Sequence, residues 1–146
     1  MIILDDYFMN EALKLAQQAA NEGEVPIGAV MVSGTQILAK TFNQVKKLKD
    51  ATAHAEMLAI TAGTESMGSK YLPDCTLYIT LEPCPMCAAA IAWAQIGRIV
   101  FAAKDTKKGY SLFTPSLLHP RTEVTNGIMA EESTKLMKGF FLKLRE

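Results

Sequence analysis

Apolar positions change period several times along the chain, and each change marks an element. Residues 5–21 place Phe8, Ala12, Leu15, Ala16 and Ala19 at helical spacing, and Gly23 supplies a stop. Residues 26–32 (PIGAVMV) and 36–42 (QILAKTF) read as two strands joined through Ser33-Gly34-Thr35, a hairpin. A polar stretch at 43–51 predicts a loop. Helical spacing returns over roughly 53–66, and the apolar run 75–81 predicts a buried strand. Pro83 ends that strand, and a helix of about 84–95 follows. Residues 98–103 (RIVFAA) predict another strand. The stretch 104–120 contains Gly and Pro and predicts a long loop, a length that usually carries function. A short strand near 122–125 and a helix of about 129–144 complete the pattern. Strands alternating with helices after an initial hairpin predict a three-layer α/β/α domain around a mixed central sheet of about five strands.

Length adds one constraint: at 146 residues, the stretch 1–146 reads as a single domain able to bury a substantial core. A composition of 49% hydrophobic and 21% charged residues suits a soluble globular protein. No run of about 20 apolar residues offers a membrane span. The start MIILDDYFMN lacks a basic segment ahead of its apolar residues, so no export signal is expected and the expected location is cytoplasmic. Fifteen basic and fifteen acidic residues cancel, which argues against broad affinity for nucleic acid but says nothing about a local basic patch.

Three cysteines change the picture more. Two of them form Cys84-Pro85-Met86-Cys87, and without an export signal this spacing points to metal or redox chemistry and not to a disulfide framework. Cys75 opens the apolar run CTLYIT and is expected to be a small core residue. About 30 residues ahead of the cysteine pair stands His54-Ala55-Glu56. One imidazole and two thiols can supply three zinc ligands, and catalytic zinc sites use three protein ligands where structural sites use four. Glu56 then remains free to move a proton. Two residues apart, His54 and Glu56 would diverge in mid-helix, so both are expected in the first turn, reading a site at the helix end. Both patches then lie at helix N-termini, whose partial positive charge favours thiolates. Two other readings stay open: a thioredoxin-like redox pair at a strand–helix junction, and a structural zinc site completed by His119 or Cys75. The redox reading leaves His54 and Glu56 without a role. The helix at 84–95 is apolar on nearly every side (Ala88, Ala89, Ala90, Ile91, Ala92, Trp93, Ala94), which in a small domain points to a partner subunit.

The H-x-E…P-C-x-x-C arrangement is known from zinc nucleobase deaminases. Over nearly the whole chain the sequence resembles the bacterial tRNA-specific adenosine deaminases of the cytidine deaminase superfamily. The segments that carry the resemblance are EVPIGAV (24–30), Asn43, TAHAEM (52–57), TLYITLEPCPMC (76–87), IGRIVFAAKD (96–105), LLHPRTEV with NGI (117–128) and Phe140-Phe141. The resemblance implies a cytidine-deaminase-like fold and one zinc ion per subunit on His54, Cys84 and Cys87. The zinc would activate water for attack at C6 of a wobble adenosine, with Glu56 as the proton shuttle and inosine as the product. It implies that Asn43 and the Ala55 backbone contact the target nucleotide, with Val25 and Ile27 as an apolar wall. It further implies that Asp105 and Lys107 contact flanking anticodon nucleotides, and that Phe141 lines an RNA groove. The implied partners are a tRNA anticodon stem-loop and a second copy of the chain, joined through the region of helix 84–95. Pro85 is a residue associated more with guanine and cytosine deaminases, so a free-base or nucleoside deaminase remains the alternative, and a non-enzymatic zinc or thiol-redox module the third reading.

Overall fold

The structure, a computed structural model, describes residues 2–145. Helix α1 (Ile2–Asn21) leads into the hairpin of β1 (Gly28–Ser33) and β2 (Gln36–Phe42). A short α2 (Val45–Leu48) and α3 (Ala55–Met67) precede β3 (Cys75–Leu81), α4 (Pro85–Trp93) and β4 (Arg98–Ala103). A long connection with one 3-10 turn (Tyr110–Leu112) reaches β5 (Glu123–Asn126), and α5 (Ala130–Leu144) follows. The strands form one sheet in the order β2-β1-β3-β4-β5. β1 runs antiparallel to both β2 and β3, whereas β3–β4 and β4–β5 are parallel, so the sheet is mixed as expected.

Alternation along the strands explains the layers. Successive strand residues face opposite sides of a sheet. Ala29 and Met31 of β1 and Ile99 and Phe101 of β4 therefore join one core with Ala59 of α3 and Ala88 and Ile91 of α4. Val30, Val32, Val100 and Ala102 point the other way, into a second core with Phe8, Met9 and Ala12 of α1. Both faces are covered, which is why these strands read as continuous apolar runs. α1 lies so close to the start of β1 that a Cβ on Gly28 would collide with the Ala12 carbonyl, so only glycine fits there. Asp5 fastens the same helix across the sheet. It accepts hydrogen bonds from the Tyr78 hydroxyl (2.7 Å) and from both terminal nitrogens of Arg98 (2.9 and 2.7 Å), and Arg98 also reaches Thr125 (3.1 Å).

Departures from the expected elements have local causes. The first helix begins at Ile2 and not at residue 5. Within the expected loop 43–51, the Glu24 carboxylate accepts the Lys46 and Lys47 backbone N–H groups (3.1 and 2.9 Å) and thereby organises α2. Nothing local to 43–51 announces this, because the acceptor is more than 20 residues away. The fourth helix is shorter than 84–95; it ends at Trp93, and Gln95 turns left-handed (φ 53°). It buries Cys87, Ala88 and Ile91, whereas Trp93 is 83% exposed.

The sheet also decides where a site can form. Ligands in open α/β sheets bind outside the carboxyl ends of parallel strands. The carboxyl ends of β3 and β4 lead directly into Glu82-Pro83-Cys84 and Lys104-Asp105.

Candidate active site

Two helix N-termini meet at that edge. His54 is the N-cap residue of α3 and Cys84 the N-cap residue of α4, both with extended backbone (ψ 153° and 168°). Caps are ordinarily Ser, Thr, Asp or Asn, whose side chains bond back to the first turn. Neither residue does so here, and both side chains point into the space between the helices. Pro85 occupies the first turn of α4, where its missing N–H costs nothing. Cys87 follows one turn after Cys84 on the same face. His54 Nδ1 lies 3.7 Å from Cys84 Sγ and 3.5 Å from Cys87 Sγ. The three donor atoms lie within 4.8 Å of one another, and no other such group occurs among the described residues.

This arrangement fits a zinc ion. Tetrahedral coordination with bonds of about 2.3 Å to sulfur and 2.0–2.1 Å to nitrogen separates ligand atoms by about 3.6 Å, close to the separations found. Three donors leave a fourth position to a small molecule, as in catalytic sites. The thiols are also electrostatically prepared. The hydrogen bond from Cys87, and then His54, pull the Cys84 thiol down to about 4. Cys87 is pushed up, first by its bond to Cys84 and then by burial. His54 is raised, chiefly by its contact with Cys84. A dication bound here would hold both sulfurs as thiolates.

Glu56 stands in the first turn of α3, as the spacing predicted. Its side chain is buried, and Oε1 is the one buried side-chain N or O atom without a hydrogen-bond partner among the described residues. Burial pushes its carboxyl up to about 7. Buried polar atoms are almost always paired, so an oxygen left free beside three metal donors is an acceptor held for something that is not protein.

The first turn of α3 is fixed from both sides. Asn43 Oδ1 accepts the Ala55 N–H (3.0 Å), and Thr41 donates its hydroxyl to the Ala55 carbonyl (2.7 Å). Both backbone groups of Ala55 are thus engaged within the protein, and Ala55 does not line the pocket. Asn43, which fixes the Ala55 N–H, lines the pocket, and its Nδ2 makes no hydrogen bond among the described residues.

The pocket has a volume of about 1010 Å3. His54, Glu56 and Cys84 line it, as do Val25, Ile27, Asn43, Asp105, Lys107 and Phe141. Cys87 lies behind Cys84, fully buried. The C-terminal part of α5 forms one side, where Phe141, Leu142 and Leu144 stay 39%, 61% and 64% exposed, so they rim the pocket without sealing it. Six cationic residues line the pocket: Lys46, Lys104, Lys107, Lys108, Lys138 and Arg145. All six are exposed. Among the lining acids, Glu24, Glu56 and Glu82 are buried, and Asp105 turns its carboxylate back onto the Lys107 and Lys108 backbone N–H groups (3.0 and 2.9 Å). Glu24 and Glu82 had no place in the sequence reading. The only hint lay in their positions, one ahead of Val25-Pro26 and the other ahead of Pro83-Cys84.

Comparison with known proteins agrees with this geometry. The family model for the cytidine and deoxycytidylate deaminase zinc-binding region matches residues 3–103. A tRNA-specific adenosine deaminase of Aquifex aeolicus (strain VF5) is 41% identical over 145 residues, covering 96% of this chain and 95% of the relative. A solved structure from work on A-to-I editing by tRNA:A34 deaminases at the wobble position of transfer RNA has a TM-score of 0.84 at 40% identity, covering 89% of this chain and 98% of that one. The guanine deaminase from Bacillus subtilis reaches 41% identity but a TM-score of only 0.65, over 68% of this chain and 64% of its own. Kinship with the adenosine deaminases thus covers nearly the whole chain, and the protein belongs to the cytidine and deoxycytidylate deaminase family, among its tRNA-specific adenosine deaminases.

Proposed function

We propose that the protein hydrolyses the wobble adenosine of a tRNA anticodon loop to inosine and ammonia. The observation that carries this reading is the joining of a hydrolytic centre to a rim of six exposed cations around a pocket of about 1010 Å3. That volume stands at the top of the range for small-molecule sites, about 300–1,000 Å3. Exposed cations suit phosphates, and an anticodon loop presents bases that are already unstacked.

Zinc held by His54, Cys84 and Cys87 would supply Lewis acidity, making water nucleophilic at neutral pH. Glu56 does the proton work. Its unpartnered Oε1 takes a proton from the attacking water and delivers it to N1 as the oxygen bonds to C6. It then carries the proton of the new C6 hydroxyl to the exocyclic nitrogen; the C6–N bond breaks as the carbonyl forms, and ammonia leaves. Burial suits the carboxylate to this role, because a group poised near neutrality can both accept and return a proton. The free amide of Asn43 donates to an acceptor on the target nucleotide, and Val25 and Ile27 pack against the base. Lys107 and its neighbours meet the flanking phosphates, and Phe141 offers an aromatic face for stacking. A homodimer through the α4 face belongs to the same proposal and is supported by Trp93, which stays largely exposed, with Tyr71 exposed beside it. So does a cytoplasmic location beside the RNA. No helix among the described residues is long and apolar enough to cross a membrane.

The test compares inosine formation in an anticodon stem-loop beginning with adenosine against deamination of free guanine, cytosine, cytidine and adenosine. The stem-loop should be the preferred substrate, with KM rising steeply as salt increases. Preference for a free base, with a flat salt response, would replace this reading with the guanine or cytosine deaminase alternative.

A further inference from the structure

Glu82 is a buried carboxylate, 3% exposed, that the chemistry above does not use. It stands two residues before Cys84, at the end of β3. No cation pairs with it among the described residues. Its partners all come from the basic loop that follows β4. Oε1 accepts the Asp105 N–H (3.0 Å), and Oε2 accepts both the N–H and the hydroxyl of Ser111 (2.9 and 2.6 Å). The Glu82 N–H reaches the Ala103 carbonyl (2.8 Å), and the Tyr110 N–H reaches the Pro83 carbonyl (3.0 Å). Gly109 sits directly on the carboxylate, where an added Cβ would fall on the Glu82 carboxyl group. Between these anchor points run Lys104, Lys107 and Lys108.

We infer that Glu82 is a positioning residue: it clamps the lysine-bearing loop 104–111 to the turn that carries Cys84, setting the distance between RNA backbone and reaction centre. A carboxylate is required because every partner is a donor. Glutamine keeps one acceptor oxygen but turns an NH2 group toward a backbone N–H, so one side of the clamp opens. The opened loop carries its three lysines away from the place where flanking phosphates must be held. The consequence falls on RNA binding more than on chemistry, since Glu56 and the ligand set are untouched. The inference rests on the RNA reading proposed above.

The test uses full-length zinc enzyme and the anticodon stem-loop. Glu82→Gln should raise KM about 10-fold and keep kcat within threefold, because it removes binding made equally in ground and transition states. Zinc content should stay at one per chain. Gly109→Ala disturbs the same contact from the other side and should raise KM by a similar factor. The double variant should be scarcely worse than either single one, since residues in direct contact are not additive. Ser111→Ala, a mild change at an exposed position, should raise KM about threefold and carries the test if the other variants do not fold. An unchanged KM, a fall in kcat alone, loss of zinc in Glu82→Gln, or a double variant near 100-fold would each overturn the inference. Wild type serves as the control that separates failures: if it acts only on free bases, the RNA reading and this inference fall together. If it edits the stem-loop while the variants keep a normal KM, only the role of Glu82 falls.

Discussion

Glu56→Gln isolates the proton shuttle. Glutamine has almost the same shape, so the buried site keeps its packing, but it cannot take up and return a proton. Positioned acid–base groups contribute about 100- to 10,000-fold, or about 2.7–5.4 kcal/mol of barrier. The structure decides where in that range the loss should fall. A milder loss needs a stand-in base, and none is at hand. Glu24 and Glu82 are committed to backbone N–H groups of α2 and of the loop after β4. Asp105 caps its own loop, and His54 Nδ1 faces the two sulfurs. The expected loss is therefore at least about 1,000-fold in kcat, about 4 kcal/mol. Single-turnover inosine formation measures it. Elemental analysis should find wild-type zinc content, and affinity for the stem-loop should be unchanged. Turnover within 10-fold of wild type would refute the assignment, and so would a loss of rate that tracks loss of zinc.

His54→Ala removes one of three donors and should release most of the metal on dialysis; full zinc occupancy by elemental analysis would show that the cluster is not the ligand set. Arg98→Ala tests the network that fastens α1. It leaves Asp5 without its main partner and should cost about 3 kcal/mol in chemical denaturation, the low end for breaking a buried pair because the Arg98 side chain keeps 20% exposure. The pH dependence has a definite sign. The Arg98 guanidinium, with help from Tyr78, holds the Asp5 carboxyl below its ordinary 3.8. Its contribution is thus present above about 3.8 and is lost as pH falls through the lower folded value. The stability gap between wild type and Arg98→Ala should shrink on that acid limb, and a gap independent of pH there would contradict the pairing.

Which parts of the molecule were legible in the sequence follows from the range of the interactions. Strand and helix positions came from apolar runs, helical spacing and Gly and Pro stops, and β2 and β4 fall on the stretches the pattern predicts. β4 is specified by its own residues, which turn alternately to the two cores. The zinc cluster was legible for a related reason: a histidine two residues from a glutamate makes geometric sense only at a helix start, and a Cys-x-x-Cys spacing presents two sulfurs on one face. What stayed hidden depends on distant partners. Helix α2 exists through Glu24, and the shape of loop 104–111 depends on Glu82; the partners of each carboxylate lie more than 20 residues away. The partner of the Ala55 N–H was hidden in the same way, because Asn43 comes from the end of another strand.

Net charge shows how a whole-chain average can point away from the site. Fifteen acids against fifteen bases argue for weak attraction to RNA. Around the pocket, though, the two signs sit at different depths. The six cations are exposed at the rim. Three of the four lining acids are buried, and the fourth faces its own backbone. An approaching phosphate meets the cations first. The acids meet backbone N–H groups or, for Glu56, the reacting water. Glu24, by ordering α2, holds Lys46 at the rim; Glu82 holds Lys104, Lys107 and Lys108. Removing these acids would make the local total more positive and the site worse at holding RNA, the reverse of what charge counting predicts. A drop in RNA affinity in the charge-neutralising variant Glu82→Gln therefore separates placement from charge: attraction by total charge alone would make that variant bind more tightly.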